Sequence, residues 1–299
     1  MTKTEFLTMV ASGPVFLDGA TGTGLQQAGM PRKVVTELWV DEHPQLLLRL
    51  QRAYVEAGSR ILYAPTFQAN PVALDKAGWT GNVEKLNTRL VRLSREAAGT
   101  DALVAGDIAT LAGVLDPWEG ANFNRMVECY RRQIGGILEG GVDFLAGETL
   151  LYPQEAEAIF TAAQLEAADV PVTLTFTMDA SGSFFSGQEA GPVLRELEEA
   201  GASAVGFNCV AASEQLPALV SRLRRHVRGP LISKPNAGNP VVGASGLAEY
   251  PMEPRSFAEL QYDAFCLGAG LLGGCCGTTP DFIRELKNRF ECMSRLGKD

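Results

Sequence analysis

The stretch PQLLLRLQRAYVEAGSRILYA, residues 44–64, decides the fold. In its first part Leu47, Leu50, Tyr54 and Ala57 fall at helical spacing, and Pro44 suits a first turn, where no amide donor is needed. A short apolar run, Arg60–Ala64, follows. Helix and short apolar run then alternate in both directions along the chain, the signature of parallel β/α units. Strands are predicted at Pro14–Asp18, Arg60–Ala64, Ala102–Asp107, Asp143–Gly147, Val172–Met178, Ser203–Asn208, Leu231–Pro235 and Gly270–Gly273. Further helices are predicted near Val83–Ala98, Asn124–Glu139, Gln154–Ala168, Val193–Ala200, Glu214–His226, Ser256–Gly268 and Thr279–Arg295.

Eight such units imply an α/β fold, a closed (β/α)₈ TIM barrel, with an open doubly wound sheet as the main competitor. Several strands read as continuous apolar runs, as strands covered on both faces do. No fixed-period repeat, linker or low-complexity segment divides the 299 residues, so residues 1–299 are read as one barrel domain. Three long irregular stretches, Thr21–Glu37, Pro65–Gly81 and Asn236–Arg255, each follow a strand. They fall on the C-terminal face, where barrel enzymes keep their active sites.

Composition bounds the function. The chain is 46% hydrophobic, enough for a substantial core, and its net charge is −9. An acidic surface repels phosphate backbones, which argues against a nucleic-acid partner. No stretch reaches the roughly 18 apolar residues that span a bilayer. Met1 to Pro14 has a single Lys and no apolar run with a cleavage site, so no signal peptide is expected. The expected compartment is the reducing cytoplasm, where thiols stay free or bind metal.

The placement of the six cysteines therefore matters more than their number. Cys209 ends the sixth strand in Gly206-Phe207-Asn208-Cys209. Cys275 and Cys276 lie just past the eighth, in Gly273-Gly274-Cys275-Cys276-Gly277-Thr278-Thr279-Pro280. With one strand between them, the two strand ends are about 10 Å apart and open on the same face. Three thiolates with an open fourth position form a catalytic rather than a structural zinc site. Zinc lowers the pKa of a bound thiol, and a trithiolate site of net charge −1 keeps a fourth thiolate electron-rich. The alternatives are a vicinal disulfide or simple packing. For Cys129, Cys266 and Cys292, all in helical patterns, the expectation is a small buried hydrophobe.

Read in order, Asp18-Gly19-Ala20-Thr21-Gly22-Thr23, Pro65-Thr66-Phe67-Gln68-Ala69-Asn70, Gly147-Glu148-Thr149, Gly206-Phe207-Asn208-Cys209, Pro235-Asn236-Ala237-Gly238 and the double-cysteine block resemble the homocysteine S-methyltransferase family. The resemblance runs from about Val15 to Phe290, and the double cysteine with its partner in Gly-x-Asn-Cys is its most specific part. It implies a zinc-dependent transfer of methyl to the thiol of L-homocysteine, giving methionine, with Cys209, Cys275 and Cys276 as zinc ligands. Asp18 and Glu148 match the carboxylates that hold the substrate amino group, as charge-assisted hydrogen bonds would. Asn236 matches an auxiliary zinc ligand in the absence of substrate. Thr66 and the amides from Gly19 to Thr21 are expected near the substrate carboxylate.

Gly147-Glu148-Thr149 and Pro235-Asn236-Ala237-Gly238 look like the homocysteine-binding domain of cobalamin-dependent methionine synthase, here as a standalone chain. Betaine-using relatives carry an aromatic where this chain has Thr149, and a long C-terminal arm where nineteen residues follow Pro280. S-methylmethionine users are single chains of this size, with Tyr before the Pro and Ser after the Asn. Lys234 departs from both patterns, since the synthase usually has His there. The donor implied is a methyl-corrinoid (methylcobalamin) carried by a separate protein, with S-methylmethionine as the alternative.

Other features read blandly. Gly19, Gly22 and Gly24 are spaced G-x-x-G-x-G rather than as a dinucleotide loop, and no helix clearly starts there. His43, before Pro44, is expected to cap a helix, and His226 closes one among arginines. The pairs Arg131-Arg132 and Arg224-Arg225 read as solvated helix faces, and Trp39, Trp79 and Trp118 as packing residues in loops on the active face. Asp107 ends the third strand, either lining the site or binding backbone amides. Two rival functions are a zinc-free barrel lyase or hydrolase using Asp18 and Glu148 as acid and base, and a redox sensor pairing Cys209 with Cys275 or Cys276.

Overall fold

A computed structural model describes residues 1–111, 115, 120–243 and 248–296. In chain order the elements are α1 Lys3–Ala11, β1 Val15–Phe16, α2 Thr21–Gln27, α3 Thr36–Glu42, α4 Pro44–Ala57, β2 Ile61–Tyr63, α5 Pro71–Lys76, α6 Val83–Ala98, β3 Leu103–Ala109, α7 Gly120–Gly140, β4 Phe144–Leu150, α8 Pro153–Ala167, β5 Val172–Phe176, α9 Ala190–Ala200, β6 Ala204–Ala211, α10 Leu216–Arg224, β7 Leu231–Asn236, β8 Val241–Val242, β9 Ala248–Glu249, α11 Pro254–Cys266, β10 Ala269–Leu272 and α12 Pro280–Leu296.

All eight predicted strands form, and they pair in parallel in the order β1-β10-β7-β6-β5-β4-β3-β2. The ring closes between β1 and β2 through one parallel bridge, Leu17 to Ile61, and the bond from the Arg60 amide to the Phe16 carbonyl at 2.7 Å. The fold is thus the (β/α)₈ barrel. Helix α4 shows how local sequence serves it: Leu47, Leu48, Gln51, Tyr54 and Ala57 are buried along one stripe. The helix stops at Gly58, whose φ of 119° a side chain would resist.

The barrel interior is apolar at its N-terminal end. Val15, Leu17, Ile61, Ala105, Phe144, Ala204, Ile232 and Leu271 pack there against Phe6 of α1. The rings of Phe6 and Phe144 meet edge to face at 5.2 Å. Lys3 Nζ donates to the Gly201 carbonyl beneath β6, so α1 lies across that end of the barrel.

The stretches expected to be irregular are partly ordered. Thr21–Glu37 contains α2 and the start of α3, Pro65–Gly81 contains α5, and Asn236–Arg255 contains the β8–β9 hairpin. A helix therefore does start at Thr21. Its TGTGLQQ sequence has low intrinsic propensity and no side-chain cap, and tertiary burial of Leu25 holds it instead. Among the described residues, no helix is long and apolar enough to cross a membrane.

Candidate functional site

A cavity of about 330 Å³ opens on the C-terminal face, lined at one end by Cys209, Cys275 and Cys276 and at the other by Asp18, Asp107, Glu148 and Lys234. Different elements build the two ends.

At the thiol end, the three sulfur atoms lie within 4.8 Å of one another, with Cys209 Sγ 3.9 Å from Cys276 Sγ. Tetrahedral zinc with bonds of about 2.3 Å places its sulfurs about 3.8 Å apart, so the cluster fits that ion with small adjustments. Cys209 stands at φ 58°, in the left-handed region, where the β6–β7 register slips between Asn208 and Ala211. Such a bulge redirects a side chain out of the strand's ordinary alternation. The loop carrying Cys275 and Cys276 is stitched to its neighbours. The Cys275 amide donates to the Pro235 carbonyl at 2.8 Å, the Ala237 amide to the Cys276 carbonyl at 2.9 Å, and the Gly274 amide to the Asp18 carbonyl at 3.0 Å. Gly277, at φ 81°, makes the turn that follows.

The thiols share charge unequally. Hydrogen bonds from Cys209, then Cys275, hold Cys276 down to about 3. For Cys275 the bond from Cys209 pulls down, but the bond it gives to Cys276 and burial outweigh it, leaving about 11. Cys209 is raised by the bonds it gives to Cys275 and Cys276, and by burial. The three thiols thus share protons among themselves, and full ionisation of such a cluster needs a cation, as in a metal-binding triad. Asn236, at the end of β7, gives its Nδ2 to the Cys209 carbonyl at 3.2 Å, while its buried Oδ1 has no hydrogen-bond partner.

At the acidic end, Glu148 sits where the β4–β5 register slips between Gly147 and Leu150. The next residue, Thr149, stands at φ 57°. The Thr149 amide donates to Asn208 Oδ1 at 2.8 Å, and Asn208 Nδ2 donates back to Thr149 Oγ1 at 2.6 Å. Lys234 is buried, with Nζ 2.7 Å from Glu148 Oε1, 3.8 Å from Asp18 Oδ1 and 3.4 Å from the Tyr63 ring centroid. The contact with Glu148 is an ion pair rather than a well-directed hydrogen bond. Burial opposes the ammonium, but Glu148, Tyr63 and Asp18 together hold Lys234 well above its usual range. Burial raises Asp18 to about 7 against the pull of Lys234. Burial, then the neighbouring Glu148 carboxylate, push Asp107 well up.

The cavity thus gathers Cys209, Cys275, Cys276, Asp18, Gly19 and Glu148, and of the two readings of Asp107 it selects lining the site. Gly19 is required there, because a Cβ would stand 2.7 Å from Tyr54 Oη and Thr278 Oγ1. Thr66, expected near the substrate carboxylate, makes its bonds elsewhere. It is fully buried, and its hydroxyl donates to the Asp107 carbonyl at 2.8 Å and accepts from the Asp107 amide at 3.0 Å, so it serves β3 and does not line the cavity. The Ala20 amide is likewise spent, on Thr278 Oγ1 at 3.2 Å.

Sequence reasoning flagged Lys234 only as a departure. Its role follows from its place on β7, two residues before Asn236, which points both side chains into one end of the barrel. Other expectations also shift. Cys129 is buried, but Cys266 and Cys292 are exposed. His43 does cap, standing at the C-cap of α3 and the N-cap of α4, but its side chain serves α3: its Nδ1 lies 2.9 Å from the Trp39 carbonyl and its ring stacks on Trp39 at 4.4 Å. Trp39 is thus helical, while Trp118 lies outside the described residues.

The model of the family described as homocysteine S-methyltransferase matches residues 15–290. The chain belongs to that family. Membership makes it a methyltransferase. It is 32% identical over 301 residues to a methionine synthase of Mycobacterium leprae and 30% identical over 301 residues to that of Mycobacterium tuberculosis. Each match covers 95% of this chain and 25% of the relative, so the chain spans about a quarter of the length of these curated relatives. Among solved structures, the metallated form of the homocysteine methyltransferase MmuM from Escherichia coli superposes with a TM-score of 0.78 at 25% identity, covering 93% of this chain and 96% of that one.

Proposed function

We propose that this family member transfers a methyl group to the thiol of L-homocysteine, giving methionine, with zinc held by Cys209, Cys275 and Cys276. The observation that carries the reading is the pairing, within one cavity, of a three-thiol cluster with a buried acidic floor. A thiol-binding metal site and an ammonium-binding site at opposite ends suit an amino-thiol acceptor. The metallated relative supports a metal at the cluster.

When bound, zinc would supply a Lewis acid that ionises the acceptor thiol at neutral pH, which removes the need for a separate general base. The protein's own groups do the rest. The acidic floor receives the substrate ammonium, and the backbone from Gly19 to Thr21 borders the same cavity, beside the substrate carboxylate. Asn236 Oδ1, free of protein partners, is the auxiliary ligand before substrate arrives. Fixing both ends of the acceptor aligns its sulfur for in-line attack on the incoming methyl.

The donor in this reading is a methyl-corrinoid carried by a separate protein, which agrees with the similarity to methionine synthases. S-methylmethionine is the alternative, and agrees with the near-complete overlap with a single-barrel homocysteine methyltransferase. The test is methionine formation by zinc-loaded protein from L-homocysteine under reducing, anaerobic conditions, with each donor supplied in parallel. Turnover with methylcobalamin alone supports the corrinoid reading, turnover with S-methylmethionine the alternative. Homocysteine that fails to bind the zinc-loaded protein sinks the proposal.

A further inference from the structure

Two of the three thiol-bearing residues, Cys209 and Cys275, meet the same side chain, that of Asn208. Asn208 lies on β6 directly before Cys209 and is fully buried. Its Oδ1 accepts the Thr149 amide at 2.8 Å, which fixes the orientation of the group, since the flipped amide would set donor against donor. Of the two hydrogens on Nδ2, one serves Thr149 Oγ1 at 2.6 Å. The other is left for Cys275 Sγ, 3.8 Å away and within reach for a sulfur acceptor. One buried amide thus spans β4, β6 and the loop after β10.

Each of these cysteines has a freedom that Asn208 removes. Cys209 stands at φ 58°, a conformation that a non-glycine residue keeps where its surroundings impose it. Asn236 Nδ2 holds its carbonyl at 3.2 Å, and the side-chain bonds of Asn208 pin the chain on its amide side. The Cys275 backbone is already tied, its amide to the Pro235 carbonyl at 2.8 Å and its carbonyl to the Thr278 hydroxyl at 2.7 Å. Rotation of its side chain remains, and an N–H donor at Sγ selects one rotamer. A metal-bound sulfur keeps much of its thiolate charge, so on loading the same contact becomes charge-assisted.

Asn208 in turn depends on Thr149. This β-branched residue at φ 57° is an outlier for its type, and both its amide and its hydroxyl meet Asn208. Without that hydroxyl, Nδ2 loses its shorter partner and the amide is free to swing from the sulfur.

We propose that Asn208 is a positioning residue of the metal centre, setting Cys209 through the chain and Cys275 through its sulfur, and that Thr149 is its anchor. Thr149 follows Glu148 and lines the cavity, so a substitution beside the acidic end reaches the metal. This rests on the reading of the three thiols as a zinc site and assigns two residues outside its ligand set.

The test measures zinc Kd by competition with a chromophoric chelator, and the thiolate-to-metal charge-transfer band of cobalt(II)-substituted protein. No substrate is present in either measurement. Asn208→Ala is expected to weaken zinc by about 10–100-fold, the scale for groups that orient ligands. Its cobalt band should move to longer wavelength, because a sulfur that loses a hydrogen-bond donor gives up its electrons more easily. Thr149→Val keeps the branched shape and removes the hydroxyl. It is expected to weaken zinc by about three- to tenfold, the size of one ordinary hydrogen bond, with a smaller shift in the same direction. A lower unfolding midpoint with zinc Kd within about threefold of wild type and an unmoved band assigns the tie to the fold alone and overturns the inference. Weakened zinc in Asn208→Ala with none in Thr149→Val overturns it too, since the anchor would then do nothing. If Asn208→Ala does not fold, Thr149→Val decides by the same criteria. Wild-type protein that fails to bind zinc overturns the reading beneath as well.

Discussion

Cys209 at the end of β6 and Thr149 at the end of β4 have nearly the same backbone, φ 58° and 57°, each beside a slip in strand register. At β6 the kink presents a thiol to a cluster of sulfurs. At β4 it accompanies a carboxylate presented to a lysine. Between them Asn208 bonds twice to Thr149, and its Nδ2 also lies 3.8 Å from Cys275 Sγ. One backbone device, repeated on strands with one strand between them, thus aims two chemically opposite ends of the cavity. It is non-glycine strain at a functional site, supported by a side-chain tie.

The strongest way to separate the two ends is to remove a sulfur. Cys276→Ser is expected to release the metal and abolish methyl transfer while the fold persists, read by metal analysis, activity and circular dichroism. A variant that keeps both metal and activity would refute the thiol end's role. At the acidic end the largest effect is on stability. Lys234→Met leaves buried carboxylates without their cation and is expected to cost roughly 3–5 kcal/mol in denaturant unfolding. An unchanged midpoint would mean that the lysine is not a counter-ion.

The tie itself comes next. Asn208→Ala is expected to lower metal affinity or activity by about 10–100-fold, the usual scale for groups that orient ligands. Loss confined to one end of the cavity would show that the two kinks are independent. A smaller effect is pH-dependent. Asp18 is raised to about 7 in the folded protein, so between its unfolded value near 4 and about 7 the folded state binds the extra proton. Stability from this group therefore falls as pH rises through that window, by at most about 1.4 kcal/mol per unit. The wild-type curve minus that of Asp18→Asn should carry this slope, and a flat difference would refute it. The smallest effect is expected on the surface: alkylation of exposed Cys266 and Cys292 should leave metal and activity unchanged.

The barrel was legible because its strands are short apolar runs between amphipathic helices, and that alternation needs no tertiary information. The three thiols were legible because strand ends in a barrel share a face. What the sequence hid was context. Thr21–Gln27 is helical despite two glycines because Leu25 is buried by the fold. Thr66 follows a strand like a site residue, yet its hydroxyl is consumed by β3. Cys266 and Cys292 lie in helical segments, but only packing decides which face they take. Lys234 stood out as a departure, while the destination of its ammonium depended on Asp18, just past β1, Glu148 on β4 and the ring of Tyr63 on β2.

Helix α1, laid across the N-terminal end of the barrel, has a kinetic consequence. Phe6 packs into that end, so the cavity opens on the opposite, C-terminal face. In the proposed reaction the donor would then approach over an acceptor seated below it and leave before the methylated thiol, which makes acceptor first in and product last out the order that this architecture favours.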